Sequence, residues 1–138
     1  NKERRVCVMG VKEFQADVRN NGGFILSDGT LEVVALLCKA HDLMASYDID
    51  CSKGRGKGLR KDILKALGLP ASGRERVSAF EAYYYGRIQP KVSMEELEYL
   101  WNEDVFNMFN MISPKGYYFG SHPGDGACIG WFKVEDDW

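Results

Sequence analysis

The side chains best suited to catalysis lie close together near the C-terminus. His122 and Asp125 flank a Pro-Gly pair in the stretch Ser121-His-Pro-Gly-Asp-Gly126, and Cys128 follows. An imidazole and a carboxylate in one tight loop could orient each other for acid–base chemistry, with Cys128 as the nucleophile of a small hydrolase or transferase. The alternative is a plain turn, in which Asp125 bonds its own backbone. We favour the turn and assign no catalytic residue.

A second candidate group is Cys38-x-x-His41, with Cys51 downstream. Positions i and i+3 share one face of a helix, so a thiolate and an imidazole could converge on zinc. The chain has no Cys-x-x-Cys pair to complete a structural zinc site, and it has two histidines in all. We therefore predict no metal site and no cofactor, and we interpret Cys38 as a buried thiol beside a flanking histidine.

The third candidate is a run of positive charge, which we call the basic segment, residues 53–76. Its eight cations stand against Asp62 and Glu75, which gives a net charge of +6. Glycines at alternate positions of 54–58 predict a loop, and a helix follows it, so backbone amides and cations could together hold an anion. The alternative is a solvated loop without a ligand. The predicted partner- or phosphate-binding residues are Lys53, Arg55, Lys57, Arg60, Lys61, Lys65, Arg74 and Arg76.

The same segment resembles the helix–turn–helix arrangement of small nucleic-acid modules. A short basic helix is followed by Gly68-Leu-Pro70 and then by a second helix that carries Arg74 and Arg76. Tyr83-Tyr-Tyr85 lies at the end of that helix and could offer a stacking face for single-stranded bases. Three consecutive tyrosines point in different directions on a helix, so we expect at least one of them in the core. Nucleic-acid binding is therefore kept as an alternative.

The elements that must position these groups follow from periodicity and from turn residues. Apolar residues at helical spacing predict helices, and the boxes Ser72-x-x-Glu75 and Ser93-x-x-Glu96 have the spacing of helix N-terminal caps. We expect one domain over 1–138, helix-dominated α+β with four to five helices and a small antiparallel sheet that includes a C-terminal hairpin. Residues 1–9 are interpreted as a disordered or remnant N-terminal segment. The predicted helices are 11–20, 30–46, 59–67, 72–85 and 94–113, and the predicted strands are 24–27, 117–119 and 127–134. The region 24–35 is ambiguous, since Asp28-Gly29 is also a hairpin signal.

Charge and composition limit the functional classes. Residues 93–138 carry nine acidic residues against Lys115 and Lys133, a net charge of −7, so the chain can present two faces of opposite potential unless the two halves neutralise each other. No stretch has the length of a membrane span or the layout of a signal peptide. We therefore expect a small cytoplasmic protein with reduced cysteines, no membrane partner and an oligomeric state that the sequence leaves open.

The ending Gly116-Tyr-Tyr-Phe-Gly-Ser-His-Pro-Gly-Asp-Gly-Ala-Cys-Ile-Gly-Trp-Phe132 resembles endings of small uncharacterised proteins of bacteriophages and gut-bacterial mobile elements. The resemblance covers about seventeen residues and transfers no catalytic or binding residue. It implies a small accessory or anti-defence protein, a class that commonly acts by binding. Together with the segregated charge, it leads us to expect a non-enzymatic binding module whose macromolecular partner is a protein or a ribonucleoprotein.

Overall fold

The structure, a computed structural model, describes residues 2–49, 58–70 and 78–134, and for residues 2–9 it describes the backbone alone. Within these ranges the chain forms five helices and one three-stranded antiparallel sheet, which confirms the predicted helix-dominated α+β fold. The elements are α1 (Lys2–Asn21), β1 (Phe24–Asp28), α2 (Val33–Ser46), α3 (Leu59–Ala66), α4 (Ala79–Tyr84), α5 (Met94–Tyr99), α6 (Phe106–Met111), β2 (Tyr117–His122) and β3 (Asp125–Lys133). A π-helical segment, Leu100–Val105, joins α5 to α6, so these count as one long helix.

Helix α2 is the centre of the core, as its periodicity predicts. Nine of its fourteen residues are buried, and it contacts α3, α4, β1 and the long helix. The ambiguous region before it is resolved as a strand followed by a helix, because β1 pairs with β3 rather than with its own continuation. Helix α1 covers the predicted range 11–20 and begins earlier, at Lys2.

The sheet has the order β1-β3-β2, and β2 and β3 form the predicted C-terminal hairpin. Trp131 on β3 is fully buried, and its indole Nε1 donates a hydrogen bond of 3.1 Å to the carbonyl of Phe109. Its ring packs against those of Phe14 and Phe119, at centroid distances of 4.5 and 4.6 Å. Helices α1 and α6 and the sheet therefore meet in one aromatic cluster.

The long helix begins where the Ser93 cap was predicted. Ser93 Oγ accepts a hydrogen bond of 3.2 Å from the amide of Glu96. The apolar stripe that this helix buries consists of Leu97, Leu100, Trp101, Val105, Met108, Phe109 and Ile112. Met94 is 54% exposed, because it stands on the first turn, beyond the end of the packed surface.

Helix α4 is shorter than predicted. Ser78 has an extended backbone (φ −60°, ψ 133°) and caps a helix that begins at Ala79, so a continuous helix over 72–85 is wrong. The predicted cap at Ser72 lies outside the described residues. The Tyr84 side chain is 72% exposed, because Ala79 and Ala82 form the inward face of this short helix. None of the helices in the described ranges combines the length and apolar character that crossing a membrane requires.

Candidate functional site

Three cations of the basic segment lie on α3, and two of them face solvent. Lys61 and Lys65 are exposed and stand four positions apart, so they share one face of the helix. Ile63 and Ala66 are buried on the opposite side. The other five predicted cations, Lys53, Arg55, Lys57, Arg74 and Arg76, lie outside the described residues.

The third cation, Arg60, is engaged within the fold. A guanidinium nitrogen of Arg60 lies 3.7 Å from Oδ1 of Asp48, which follows α2 and has a positive φ of 55°. The Arg60 side chain is 29% exposed, so this contact ties α3 to the end of α2 more than it offers a charge to solvent. The exposed positive surface of α3 therefore consists of Lys61 and Lys65.

The C-terminal end of α3 is held firmly. The carbonyls of Ala66 and Leu67 accept hydrogen bonds from the amides of Lys91 (2.9 Å) and Gln89 (3.1 Å). Gly68 has a φ of 75°, and a Cβ there would stand 2.1 Å from the Gln89 carbonyl oxygen, so only glycine lets the two chain segments approach this closely. Lys61 and Lys65 are thus presented on a helix with a fixed position.

Of the three consecutive tyrosines at the end of α4, one is held by the fold and two are exposed. Tyr83 is half-buried, and its hydroxyl donates to the Glu32 carboxylate, so one tyrosine is held by the fold. Tyr84 and Tyr85 are 72% and 62% exposed, with their rings edge to face at 5.3 Å. The Arg87 guanidinium lies 5.8 Å from the centroid of the Tyr85 ring, which is within cation–π range. We call Tyr84, Tyr85 and Arg87 the aromatic surface.

A partly buried polar network at the start of α4 was not predicted from the sequence. Asp42 on α2 accepts hydrogen bonds at Oδ2 from the Ser78 hydroxyl (2.5 Å) and the Phe80 amide (3.0 Å), and at Oδ1 from the Ala79 amide (2.8 Å). Nδ1 of His41 lies 3.0 Å from the same Oδ1. A carboxylate from another helix thus satisfies amides that the first turn of α4 leaves without partners.

The protonation of Asp42 follows from these contacts. Burial alone would raise the pKa of the Asp42 carboxyl, but the hydrogen bonds from His41, Ser78 and the amides of Phe80 and Ala79 outweigh it and hold the pKa below its usual value. One local signal existed for the cap, since Ser78-x-x-Glu81 has capping-box spacing and Ser78 Oγ accepts from the Glu81 amide at 3.2 Å. No local signal marked Asp42.

The residues of the tail turn bond to the turn itself. His122 Nδ1 accepts a hydrogen bond of 2.9 Å from the Gly124 amide, and Asp125 Oδ1 accepts one of 3.1 Å from the Ala127 amide. Cys128 is buried in β3, and burial, followed by the charges of Asp28 and Asp125, raises the pKa of its thiol. A thiol with a raised pKa is a weak nucleophile at neutral pH. This arrangement is typical of turn chemistry.

Cys38 and His41 are both buried on α2. Burial, together with the nearby Asp42 and Glu32 carboxylates, raises the pKa of the Cys38 thiol to about 12, whereas a metal ligand must be a thiolate. His41 is engaged with Asp42. Among the residues that the structure describes, no three His, Cys, Asp or Glu side chains are grouped to hold a metal ion. Cys51 lies outside them.

A scan against protein-family models, a search of the curated proteins and a search of the solved structures each found no match. In the described part of the chain, the exposed groups suited to binding a partner are the lysine pair on α3 and the aromatic surface at the end of α4.

Proposed function

We propose that this chain is a non-enzymatic binding module that engages a macromolecular partner through its basic segment. The observation that carries the proposal is the lysine pair Lys61 and Lys65, exposed on one face of a helix whose end is fixed by backbone hydrogen bonds. Five further cations of the segment precede or follow α3 in the sequence. A positively charged surface of this kind attracts acidic proteins and nucleic-acid phosphates, and it speeds their encounter.

The partner that fits best is a protein or a ribonucleoprotein with a negative surface. The C-terminal resemblance to phage and mobile-element proteins favours an accessory, anti-defence role, in which the chain binds a component of the host and blocks it. The turn-bonded His122 and Asp125 and the protonated Cys128 thiol favour binding over catalysis.

The test is charge reversal on α3 with a matched control. The K61E/K65E variant is compared with K115E/K133E, which makes the same charge change at two exposed lysines outside the basic segment. Partner capture from host extract at low and high salt, followed by titration of the purified partner, measures the effect. We expect K61E/K65E to bind at least about tenfold more weakly, a change of about 1.4 kcal/mol, and the control to bind normally. Equal binding by the wild type and K61E/K65E would refute the proposal.

The aromatic surface favours a second candidate, single-stranded nucleic-acid binding. Exposed Tyr84 and Tyr85 beside Arg87 offer stacking faces next to a cation, and base–aromatic stacking contributes about 1–3 kcal/mol per base. The Y84A/Y85A variant is compared with Y99A, which removes a ring that is 64% exposed among the acids of α5. Fluorescence anisotropy with a labelled single-stranded oligonucleotide should show at least about tenfold weaker binding for Y84A/Y85A alone. Undetectable binding by the wild type would rule this candidate out.

A further inference from the structure

A cleft opens on the side of α2 that faces β1 and the start of α4. Its volume is about 320 Å³, at the lower end of the range for small-molecule sites. Apolar and aromatic side chains dominate its wall: Phe24 and Leu26 from β1, Leu43 and Tyr47 at the end of α2, and Phe80 from α4. The Tyr47 hydroxyl points to Asp17, to which it donates a hydrogen bond of 2.5 Å. An apolar wall of this size suits a ligand with a small hydrophobic body.

Among the described residues that line this cleft, Lys39 alone carries an ammonium group. Lys39 Nζ donates a hydrogen bond of 3.0 Å to the hydroxyl of Ser27, which is buried, and lies 5.0 Å from the centroid of the Phe80 ring. These two contacts fix the position of the ammonium. In the part of the chain that the structure describes, no carboxylate lies within 4.0 Å of it. A half-buried cation with N–H donors left over is an anchor for an anion.

Among the described residues that line the cleft, the other charged group is a carboxylate whose acceptor sites are already filled. Asp42 lines the wall, but its two oxygens receive four hydrogen bonds from His41, Ser78, Ala79 and Phe80. A carboxylate has about four lone-pair sites, so these bonds fill its acceptor capacity. A cationic ligand would therefore find no free acceptor there and would meet the Lys39 ammonium. The hydrogen-bonding group that the cleft leaves free for a ligand is the Lys39 ammonium.

We propose that this cleft binds a small monocarboxylic acid with an aromatic or branched aliphatic body. The carboxylate accepts hydrogen bonds from the Lys39 ammonium, and the body lies against the apolar wall. The wall supplies burial of apolar surface, and the ammonium supplies orientation and the preference for an anion. The described residues that line the cleft include none of the basic segment, so this site is argued independently of the proposed function.

The test is a titration of the ¹⁵N-labelled full chain, followed by amide NMR spectra, with three probes. Phenylacetate has the charge and the body, phenylacetamide has the body without the charge, and acetate has the charge without the body. We expect saturable shifts at Ser27, Lys39 and Phe80 with phenylacetate, and a dissociation constant at least about tenfold lower than for the other two probes. Absence of saturable shifts with phenylacetate, or equal binding of phenylacetamide, would overturn the proposal.

Variants of Lys39 provide the second arm. K39M keeps an unbranched side chain and removes the charge, K39R keeps the charge, and K12M removes an exposed lysine of α1 outside the cleft. K39M should bind phenylacetate at least about tenfold more weakly, while K39R and K12M keep most of the affinity. If K39M does not fold, K39R is titrated with phenylacetate and with phenylacetamide. A dissociation constant at least about tenfold lower for phenylacetate supports the proposal, and equal binding of the two probes refutes it. Unchanged affinity in a folded K39M would refute the role of the ammonium.

Discussion

Replacing Asp42 with asparagine should destabilise the fold more than any loss of a single surface charge. Each Asp42 oxygen accepts a backbone amide at the start of α4, Oδ1 from Ala79 and Oδ2 from Phe80, and the Ser78 hydroxyl and the His41 ring complete the set. Asparagine keeps one oxygen and puts an N–H₂ group in the place of the other. In either orientation, that group faces one of the two amide donors, so a donor meets a donor.

The magnitude follows from the bonds that are lost. A hydrogen bond to a charged group contributes about 1.5–3 kcal/mol, and asparagine loses the charge on all four bonds and the geometry of at least one. The side chain of Asp42 is 26% exposed, so water replaces part of the loss. We expect a decrease of about 3 kcal/mol in the free energy of unfolding. The unfolding entropy of a 138-residue chain is about 0.3 kcal/mol/K, so the Tm should fall by about 10 °C.

Differential scanning calorimetry at pH 7 measures this change, with Asp104→Asn as the control. Asp104 is exposed on the π-helical segment, and its replacement makes the same change in net charge. The control should unfold within about 2 °C of the wild type, because surface substitutions usually cost less than about 0.5 kcal/mol. If D42N unfolded as close to the wild type as the control does, Asp42 would not hold the start of α4, and the reasoning would fail.

The pH dependence provides an independent check on the same residue. The folded-state pKa of Asp42 is held below its usual value, so the carboxylate stabilises the fold fully above the unfolded pKa of about 3.9. This contribution is lost as the pH falls through the folded-state pKa. The difference in stability between wild type and D42N should therefore be constant from pH 7 to about pH 5 and should shrink below about pH 4. A difference that stayed constant down to pH 2 would contradict the assignment.

Two further predictions concern the core. Gly130→Ala would place a Cβ 2.1 Å from a backbone carbonyl oxygen of β1, so β1 must move away from β3, whereas a Cβ at Gly126 meets nothing within 4 Å. Thermal unfolding should show a Tm lower by at least about 10 °C for G130A and nearly unchanged for G126A, and equal values would contradict the pairing of β1 with β3. Cys38 has a thiol pKa of about 12, so it is protonated at pH 8. In a variant that keeps Cys38 as its only cysteine, Ellman's reagent should react only when denaturant unfolds the chain, and rapid reaction of the native protein would refute its burial.

The parts of the fold that could be predicted are those that local pattern determines. The buried stripe of the long helix and the β2–β3 hairpin follow from spacing and turn residues within a few positions of each other. The part that Asp42 plays at the start of α4 could not be predicted, because Asp42 lies 36 positions before Ser78 and only the packed fold brings them together. The exposure of Tyr84 could not be predicted for the same reason. The contact with Asp42 fixes where α4 starts, and the start fixes which side chains face outward.

The π-helical segment could be predicted from the sequence only in part. Leu97, Trp101 and Val105 are buried at consecutive spacings of four residues. In a regular α-helix each such step advances by about 40° beyond a full turn, so Val105 would stand about 80° away from Leu97. A wider turn over Leu100–Val105 removes this drift and keeps the three side chains on the buried face, where the Trp101 ring packs edge to face on Phe119 of β2 at 6.0 Å. Repeated spacings of four residues are thus a sequence signal for the widened turn. The packing against β2 that makes the turn favourable involves residues that come later in the chain.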